Sequence, residues 1–228
     1  MSDKAPLSYR TTNLTLGTFL RIMFRPRYLG REKIPVDGPL IIAANHLSHI
    51  DPAFIMTATK RPVSYMSKKE HFDGAIRRLV FKQVGVIPVD REEGGKDALK
   101  GAIEILEKGG AIGIFPEGTR SRDGKVGKGK TGVARLAALT GAAVVPVAIR
   151  QTDGVWPVSK RAPRPWRKFY YKFGDPIYFD YKEKNYENFR KFTDSVMSRI
   201  VDLSNECEEY WEEKKITTRL KKRIAAWR

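Results

Sequence analysis

The sequence contains a single cysteine, Cys207, and only three histidines. One cysteine excludes a disulfide within the chain and a zinc site built on several cysteines, and its two glutamate neighbours disfavour a reactive thiolate. No run of eighteen apolar residues occurs, so we predict no transmembrane helix. The opening residues, MSDKAPLSYR, lack the apolar core of a signal peptide. These absences favour a protein of the reducing cytoplasm whose membrane contacts are interfacial.

Basic residues, in contrast, are abundant. Lys and Arg number 43 against 26 Asp and Glu, which gives a net charge of +17. Such a charge draws a protein to an anionic partner: a phosphorylated substrate, a membrane surface or nucleic acid. With 228 residues, 41% of them hydrophobic, the chain is long enough to bury the core of one domain.

Short apolar runs alternate with segments of helical periodicity. The predicted strands cover residues 39–44, 62–66, 85–89, 111–115, 142–149 and 168–173. The predicted helices cover about 52–59, 72–83, 95–108, 131–140 and 185–210. This alternation predicts a single α/β domain with a central, largely parallel mixed sheet flanked by helices, and its ligand crevice should lie at the carboxyl ends of the strands. A Pro- and Arg-rich stretch, 157–168, is the predicted linker.

The stretch NHLSHIDP places His46 directly after a predicted strand and Pro52 at the start of a helix. Five residues on an ideal helix rotate by about 140°, so His46 and Asp51 would not share a helical face, whereas a turn can bring them together. There the carboxylate would accept a hydrogen bond from one ring nitrogen and leave the other as a general base.

Two other interpretations of this stretch stay open. Asp51 would also serve as a plain helix cap beside a buried His46, and His46, His49 and Asp51 would make a partial metal site. Only His71 remains as a further histidine and no recognised ligand spacing is present, so we predict no metal. No G-x-S-x-G motif supplies a protein nucleophile, which leaves a hydroxyl of the substrate as the attacking group.

A second polar stretch, FPEGTRSRDG, follows the predicted strand 111–115. Gly118 permits close backbone approach, Thr119 and Ser121 offer hydroxyls, and Arg120 offers a bidentate fork for a phosphate. Arg91 follows the strand 85–89 and would supply a second cation. The pattern predicts an anion site; the alternative is a charged surface loop.

Together these stretches resemble the glycerophospholipid acyltransferases of the lysophosphatidic acid acyltransferase type. The blocks NHLSHID, GVIPVDR, FPEGTRS and VVPVAI occur in the order and at the spacing of that family, over roughly residues 36–150. The resemblance implies the glycerolipid acyltransferase fold, with His46 as the base that deprotonates the acceptor hydroxyl and Asp51 as the residue that orients it. The hydroxyl would then attack an acyl thioester.

By the same resemblance, the expected substrates are an acyl donor, acyl-CoA or acyl carrier protein, and lysophosphatidic acid as the glycerophospholipid acceptor. The product would be phosphatidic acid for phospholipid biosynthesis. No cofactor is expected, because the thioester is already activated, and no nucleic acid is expected. The predicted substrate-binding residues are Arg91, Glu117, Gly118, Thr119, Arg120, Ser121 and Lys130.

The segment Gly124–Thr131, GKVGKGKT, matches the phosphate-binding loop of nucleotide hydrolases. A phosphate loop should follow its strand directly, but residues 116–123 intervene, and no downstream strand ends in an evident magnesium-binding Asp. We interpret the match as accidental. In the family resembled, a Phe usually precedes the lysine, where this chain has Gly129. The alternatives to an acyltransferase are a nucleotide-binding P-loop protein and a non-catalytic binder of anionic lipid or nucleic acid.

Both ends of the chain predict amphipathic helices. Leu16, Phe19, Leu20 and Met23 form a stripe within residues 13–25, and residues 214–228 combine seven Lys or Arg with an apolar stripe. We therefore divide the chain into an N-terminal segment 1–30, an acyltransferase domain 31–205 and a basic tail 206–228. The expected location is the cytoplasmic face of the cell membrane, as a peripheral or monotopic protein on an anionic surface. The alternative for either segment is a helix packed on the domain.

Overall fold

A computed structural model describes residues 7–68, 86–89, 96–157 and 162–225. The strands are β1 Arg27–Leu29, β2 Leu40–Ala44, β3 Val63–Lys68, β4 Val86–Val89, β5 Ala111–Ile114, β6 Ala143–Arg150 and β7 Tyr170–Phe173. The helices are α1 Leu7–Phe24, α2 Asp51–Ala58, α3 Lys96–Glu107, α4 Gly132–Thr140, α5 Thr152–Val155 and α6 Tyr186–Ala225.

The seven strands form one sheet in the order β1-β7-β6-β2-β5-β3-β4. All neighbouring pairs are parallel except β6 with β7, which run antiparallel. Helices α2 to α4 connect successive strands of the parallel part, as crossover connections require. The predicted α/β fold with a largely parallel mixed sheet is therefore confirmed.

Both faces of the sheet are covered, so its central strand is buried throughout. Leu40 and Ile42 of β2 pack on the layer that contains α1 and α2, whereas Ile41 and Ala43 pack on the layer of α3, α4 and α6. Successive side chains of a strand point to opposite faces. An uninterrupted apolar strand is accordingly what a sheet covered on both sides needs.

All six predicted strands are present, and the predicted helix 72–83 lies outside the described residues. Strand β1 and the four-residue α5 were not predicted. Residues 158–161 of the predicted linker also lie outside the described part. Helix α1 begins six residues before the predicted start at 13 and ends where Arg25 takes a left-handed conformation (φ 49°) ahead of Pro26.

Helix α6 runs without a break from Tyr186 to Ala225. The predicted boundary between domain and tail, at residue 206, lies inside this helix. No glycine or proline follows Pro176 in the sequence, so nothing in the chain favours an end of the helix there.

Candidate active site

His46 lies in the turn between β2 and α2, Asp51 is the first residue of α2, and their side chains are hydrogen bonded. The distance from His46 Nδ1 to Asp51 Oδ2 is 2.9 Å. The same oxygen accepts hydrogen bonds of 2.8 Å from the backbone N–H groups of Leu47 and Ser48. The Asp51 side chain is fully buried, while that of His46 retains 17% of its exposure. Since the carboxylate accepts from Nδ1–H, the lone pair of the imidazole is on Nε2, which is the arrangement of a general base.

The turn is held to the sheet by an amide that sequence reasoning missed. Asn45 Oδ1 accepts a hydrogen bond of 2.7 Å from the N–H of Ile149, and Asn45 Nδ2 donates to the carbonyl of the same residue at 3.0 Å. These bonds join the end of β2 to the end of β6. Ser48 Oγ also donates to the carbonyl of Trp156, at 2.8 Å. The backbone around His46 is thereby fixed from two sides.

Phe115 fixes the plane of the His46 ring. The two rings are stacked, with centroids 3.9 Å apart and an interplanar angle of 15°. Phe115 is also stacked with Tyr65, with ring centroids 5.7 Å apart. Sequence reasoning assigned Phe115 only to the end of a strand, and its position directly before the FPEGTRS polar residues was the available signal.

The carboxylate of Glu117 binds the backbone of the catalytic turn. Its Oε1 accepts from the N–H of His46 at 3.2 Å and its Oε2 from the N–H of Gly127 at 3.3 Å. Burial raises the pKa of Glu117, and the two N–H donors oppose that shift. The N–H of Ser121 donates to the carbonyl of His46 at 2.7 Å. Glu117 and Ser121 therefore clamp His46 from the second polar loop.

The cations of that loop lie on its open side. The guanidinium of Arg120 contacts Nε2 of His49, and the ammonium of Lys130 lies over Gly118, where it would be 3.0 Å from an added Cβ. Gly118 itself has φ +73°, a conformation that favours glycine. Thr119 and Lys130 are exposed. This group has the charge and access for a phosphate.

The remaining predicted site residues differ in what the structure shows of them. The Ser121 hydroxyl donates to Asp123 at 2.9 Å, so both of its polar groups are engaged within the chain. Arg91 and His71 lie outside the described residues. Over the part of the chain that is described, no group of three or more His, Cys, Asp or Glu side chains is placed to hold a metal ion.

The segment 124–131 does not present its backbone as a phosphate loop would. Such a loop directs its N–H groups at the anion. Here the N–H of Lys125 donates to Asp123, that of Gly127 to Glu117 and that of Lys130 to the carbonyl of Pro116, at 3.1, 3.3 and 2.8 Å. The loop is folded onto the rest of the site by these bonds.

Gly129 is buried beneath α6. A Cβ at this position would lie 2.8 Å from Met197 Cγ and 3.1 Å from Thr193 Cγ2, and the carbonyl of Gly129 accepts from Arg190 Nη1 at 2.8 Å. Side chains of α6 thus fill the space beside this position. A Phe there would require the side chains of Met197 and Thr193, or α6 itself, to move.

Cys207 is buried in α6, and burial raises the pKa of its thiol to about 11. A thiol with that pKa is protonated near neutral pH and is a weak nucleophile. This agrees with the prediction from its acidic neighbours.

Comparison with known proteins identifies the family. The family model Acyltransferase matches residues 25–150, and the chain belongs to this acyltransferase family. A chloroplastic 1-acyl-sn-glycerol-3-phosphate acyltransferase of Arabidopsis thaliana is 35% identical over 131 residues, which cover 56% of this chain and 36% of the plant protein. The chain thus spans little more than a third of the length of that relative.

Two bacterial relatives match over more of their length. A 1-acyl-sn-glycerol-3-phosphate acyltransferase of Bacillus subtilis is 27% identical over 205 residues, 88% of this chain and 99% of that protein. The crystal structure of the 1-acyl-sn-glycerophosphate (LPA) acyltransferase PlsC from Thermotoga maritima superposes with a TM-score of 0.69 and 28% identity, covering 85% of this chain and 77% of that one. The matched family region contains His46, Asp51 and the whole FPEGTRS block.

Proposed function

We propose that this protein transfers a fatty acyl group from an acyl thioester to the free hydroxyl of lysophosphatidic acid, giving phosphatidic acid. The observation that carries the proposal is the 2.9 Å hydrogen bond from His46 Nδ1 to the buried Asp51 carboxylate, beside a loop that carries exposed cations. The names of the relatives support the acceptor.

In the proposed reaction His46 Nε2 accepts the proton of the acceptor hydroxyl as its oxygen attacks the thioester carbonyl. The imidazolium is stabilised by Asp51, whose position does not change. The tetrahedral intermediate then collapses with cleavage of the C–S bond, and the departing thiolate takes the proton from Nε2. The proton count balances, and His46 returns to its neutral form.

Arg120 and Lys130 would bind the phosphate of the acceptor. The Arg120 guanidinium lies against the His46–Asp51 turn through its contact with His49, and Lys130 lies over Gly118. An acceptor phosphate held between them would place a glycerol hydroxyl near His46. Arg91 stays a predicted contributor.

The test is a release assay for free thiol with purified protein. Acyl-CoA and acyl carrier protein are offered as donors, and lysophosphatidic acid, glycerol 3-phosphate, lysophosphatidylcholine and monoacylglycerol as acceptors. We expect the highest kcat/KM with lysophosphatidic acid and little transfer to monoacylglycerol, which lacks the phosphate. Equal rates with monoacylglycerol would contradict the assignment of the acceptor.

We further propose that the protein acts at the cytoplasmic face of the cell membrane as a peripheral protein. In the described part of the chain no helix is long and apolar enough to cross a bilayer. Helix α1 turns Leu20, Met23 and Phe24 toward the core and leaves apolar side chains exposed on its other side. This apolar patch consists of Leu14, Phe19 and Ile22, exposed by 70%, 54% and 63%.

Trp166 extends the apolar patch at the end of α1. The backbone N–H of Trp166 donates to the carbonyl of Met23 at 3.2 Å. The Trp166 side chain is 61% exposed, and the guanidinium of Arg25 lies 4.9 Å from its ring centroid. Exposed aromatic and aliphatic groups next to cations fit the interface of an anionic bilayer. The basic residues after 214 are predicted to add electrostatic attraction.

Co-sedimentation with vesicles tests this location. Ile22→Ser should lower binding to anionic vesicles, whereas the control Leu139→Ser, at a position exposed by 53% on α4, should not. Deleting residues 214–228 should lower binding at low salt more than at high salt. Equal binding by the Ile22 and Leu139 variants would assign the membrane contact elsewhere.

A further inference from the structure

A cavity of about 350 Å³ lies beside the carboxyl end of β6, outside the His46 site. Its lining residues are Gln151, Asp153, Gly154, Arg167, Lys168 and Trp211. This volume is at the small end of the range of ligand sites in proteins. The proposed roles of His46, Asp51 and the phosphate-binding loop involve none of the lining residues.

The cavity opens at the same edge of the sheet as His46. Strands β6 and β7 are antiparallel and Arg150 pairs with Tyr170, so the end of β6 and the start of β7 lie together. Asn45, next to His46, is bonded to Ile149 at that same end of β6. From β2 to β7 is two strand spacings, about 10 Å.

A short connection joins the two sites. Asp153 and Gly154 of α5 line the cavity, and Trp156 directly after α5 accepts the hydrogen bond of Ser48. The Trp156 ring lies 5.8 Å from that of His49. Residues 153–156 therefore connect the lining of the cavity to the catalytic turn.

The lining has the chemistry of a site for a phosphorylated aromatic group. Neighbouring cations on the strands are paired, Arg150 with Glu208 at 3.1 Å and Lys172 with Glu206 at 2.6 Å. Arg167 and Lys168 are exposed and form no ion pair with any described residue. Guanidinium and ammonium groups of this kind bind phosphate.

Trp211 supplies the aromatic surface. Its ring packs edge-on against Tyr170, with centroids 5.3 Å apart, and Lys168 Nζ lies 5.6 Å from its centroid. Indole rings stack with nucleobases. Gln151 and Asp153 add hydrogen-bond acceptors for ribose hydroxyls or an exocyclic amine.

We propose that this cavity binds the adenosine 3′,5′-bisphosphate end of coenzyme A, so that the acyl donor is an acyl-CoA. The inference rests on the proposed acyl transfer and names its donor. The pantetheine arm of the donor, an extended flexible chain, spans the distance from the cavity to His46. Its thioester carbonyl then reaches the acceptor hydroxyl.

Calorimetry with the full chain tests the binding directly. Adenosine 3′,5′-bisphosphate and coenzyme A should both bind, and 4′-phosphopantetheine should bind much more weakly. Arg167→Ala and Lys168→Ala should each weaken coenzyme A binding about tenfold, the loss of one charge-assisted hydrogen bond. Arg164→Ala, an exposed cation of the same segment outside the cavity, is the matched control and should bind as the wild type.

Steady-state kinetics separates this inference from the proposed function. Arg167→Ala should raise KM for acyl-CoA about tenfold with kcat unchanged, and should leave KM for lysophosphatidic acid and for acyl-pantetheine unchanged. If acyl transfer occurs but Arg167→Ala and Arg164→Ala have the same KM for acyl-CoA, the assignment of the cavity is overturned and the acyltransferase proposal stands. If neither donor supports transfer, the proposed function fails. In the calorimetry, failure of adenosine 3′,5′-bisphosphate to bind would overturn the assignment of the cavity, whatever the kinetic result.

Discussion

The two polar loops at the carboxyl edge of the sheet are built in opposite ways. In the His46 turn, residues 45–51, the functional side chains are buried and bonded to backbone groups: Asp51 accepts three hydrogen bonds through one oxygen. We define the cationic rim as Gly118, Thr119, Arg120 and Lys130. These residues are exposed to solvent, except Arg120, which is half-buried. Arg120 of the rim contacts the turn through His49.

This difference teaches which parameter each loop controls. A buried group held by several hydrogen bonds is preorganised, and its loss changes the chemical step. An exposed cation keeps rotamer freedom and binds when the ligand arrives, so its loss changes binding. We therefore expect changes in the His46 turn to lower kcat and changes in the cationic rim to raise KM.

His46→Ala is expected to have the largest effect on kcat. Without the base, kcat should fall by roughly 100- to 10,000-fold, the usual contribution of such a group, with little change in KM for the acceptor. Activity is measured by thiol release, and circular dichroism checks that the variant is folded. Unchanged turnover by a folded His46→Ala protein would falsify the mechanism.

Asp51→Asn should cause the next largest decrease in kcat. An amide still accepts from the N–H groups of Leu47 and Ser48, but it no longer sets the tautomer of His46 or stabilises the imidazolium, so we expect kcat to fall by about 100-fold or more. Asp180→Asn, at an exposed position, is the control for the change of charge. If both variants keep the wild-type kcat, Asp51 only holds the turn through its hydrogen bonds with Leu47 and Ser48.

Arg120→Lys tests the cationic rim. It keeps the charge but loses the planar fork, so binding of a phosphorylated acceptor should weaken by about 1 to 3 kcal/mol. KM for lysophosphatidic acid should rise while KM for the acyl donor stays the same. Arg122→Lys, an exposed neighbour, is the control, and an equal loss toward monoacylglycerol would separate Arg120 from the phosphate.

Glu117→Gln is the smallest expected effect and concerns stability rather than rate. Because burial raises the pKa of Glu117, the folded protein retains a proton that the unfolded chain releases as pH rises above the ordinary value. The retained proton adds to the free energy of unfolding at pH values below the ordinary pKa of a Glu side chain. This added stability is lost as pH rises through the pKa of Glu117 in the folded protein. Glutamine does not titrate, so the free energy of unfolding of the wild type should decline relative to Glu117→Gln as pH rises from about 4, the ordinary pKa of a Glu side chain, through the raised pKa of Glu117.

Denaturant titrations at a series of pH values measure that difference. The two proteins differ by one carboxyl group, so other titrations cancel in the comparison. A difference that is constant with pH, or that moves in favour of the wild type as pH rises, would show that the N–H donors from His46 and Gly127 outweigh burial at Glu117.

Much of the fold was predictable because apolar runs and helical periodicity report directly on burial. Strand β2 is apolar at every position and is buried at every position. Strand β1 escaped prediction because it is three residues long, begins with Arg27 and follows a proline. Its pairing with β7 depends on a partner more than 140 residues away, which no local pattern indicates.

The site was predictable to the level of residue types and turn positions, but not of contacts. The motif predicted a strand-to-helix turn at His46 and Asp51, and the structure has His46 in that turn and Asp51 at the first position of α2. The stack of Phe115 on His46 and the clamp by Glu117 join residues about 70 positions apart. Such contacts follow from strand order, because β2 and β5 are neighbours in the sheet. The local sequence of neither segment indicates that order.

The two hydrogen bonds between Asn45 and Ile149 connect residues 104 positions apart. Contacts of such sequence separation require a large loop to close and form late in folding. During synthesis, His46 leaves the ribosome early, yet its turn gains this anchor only after β6 has followed. A nascent chain shorter than about 150 residues therefore holds every residue of the proposed catalytic pair without the strand that fixes their orientation. Acquisition of activity should report completion of the sheet rather than formation of its first half.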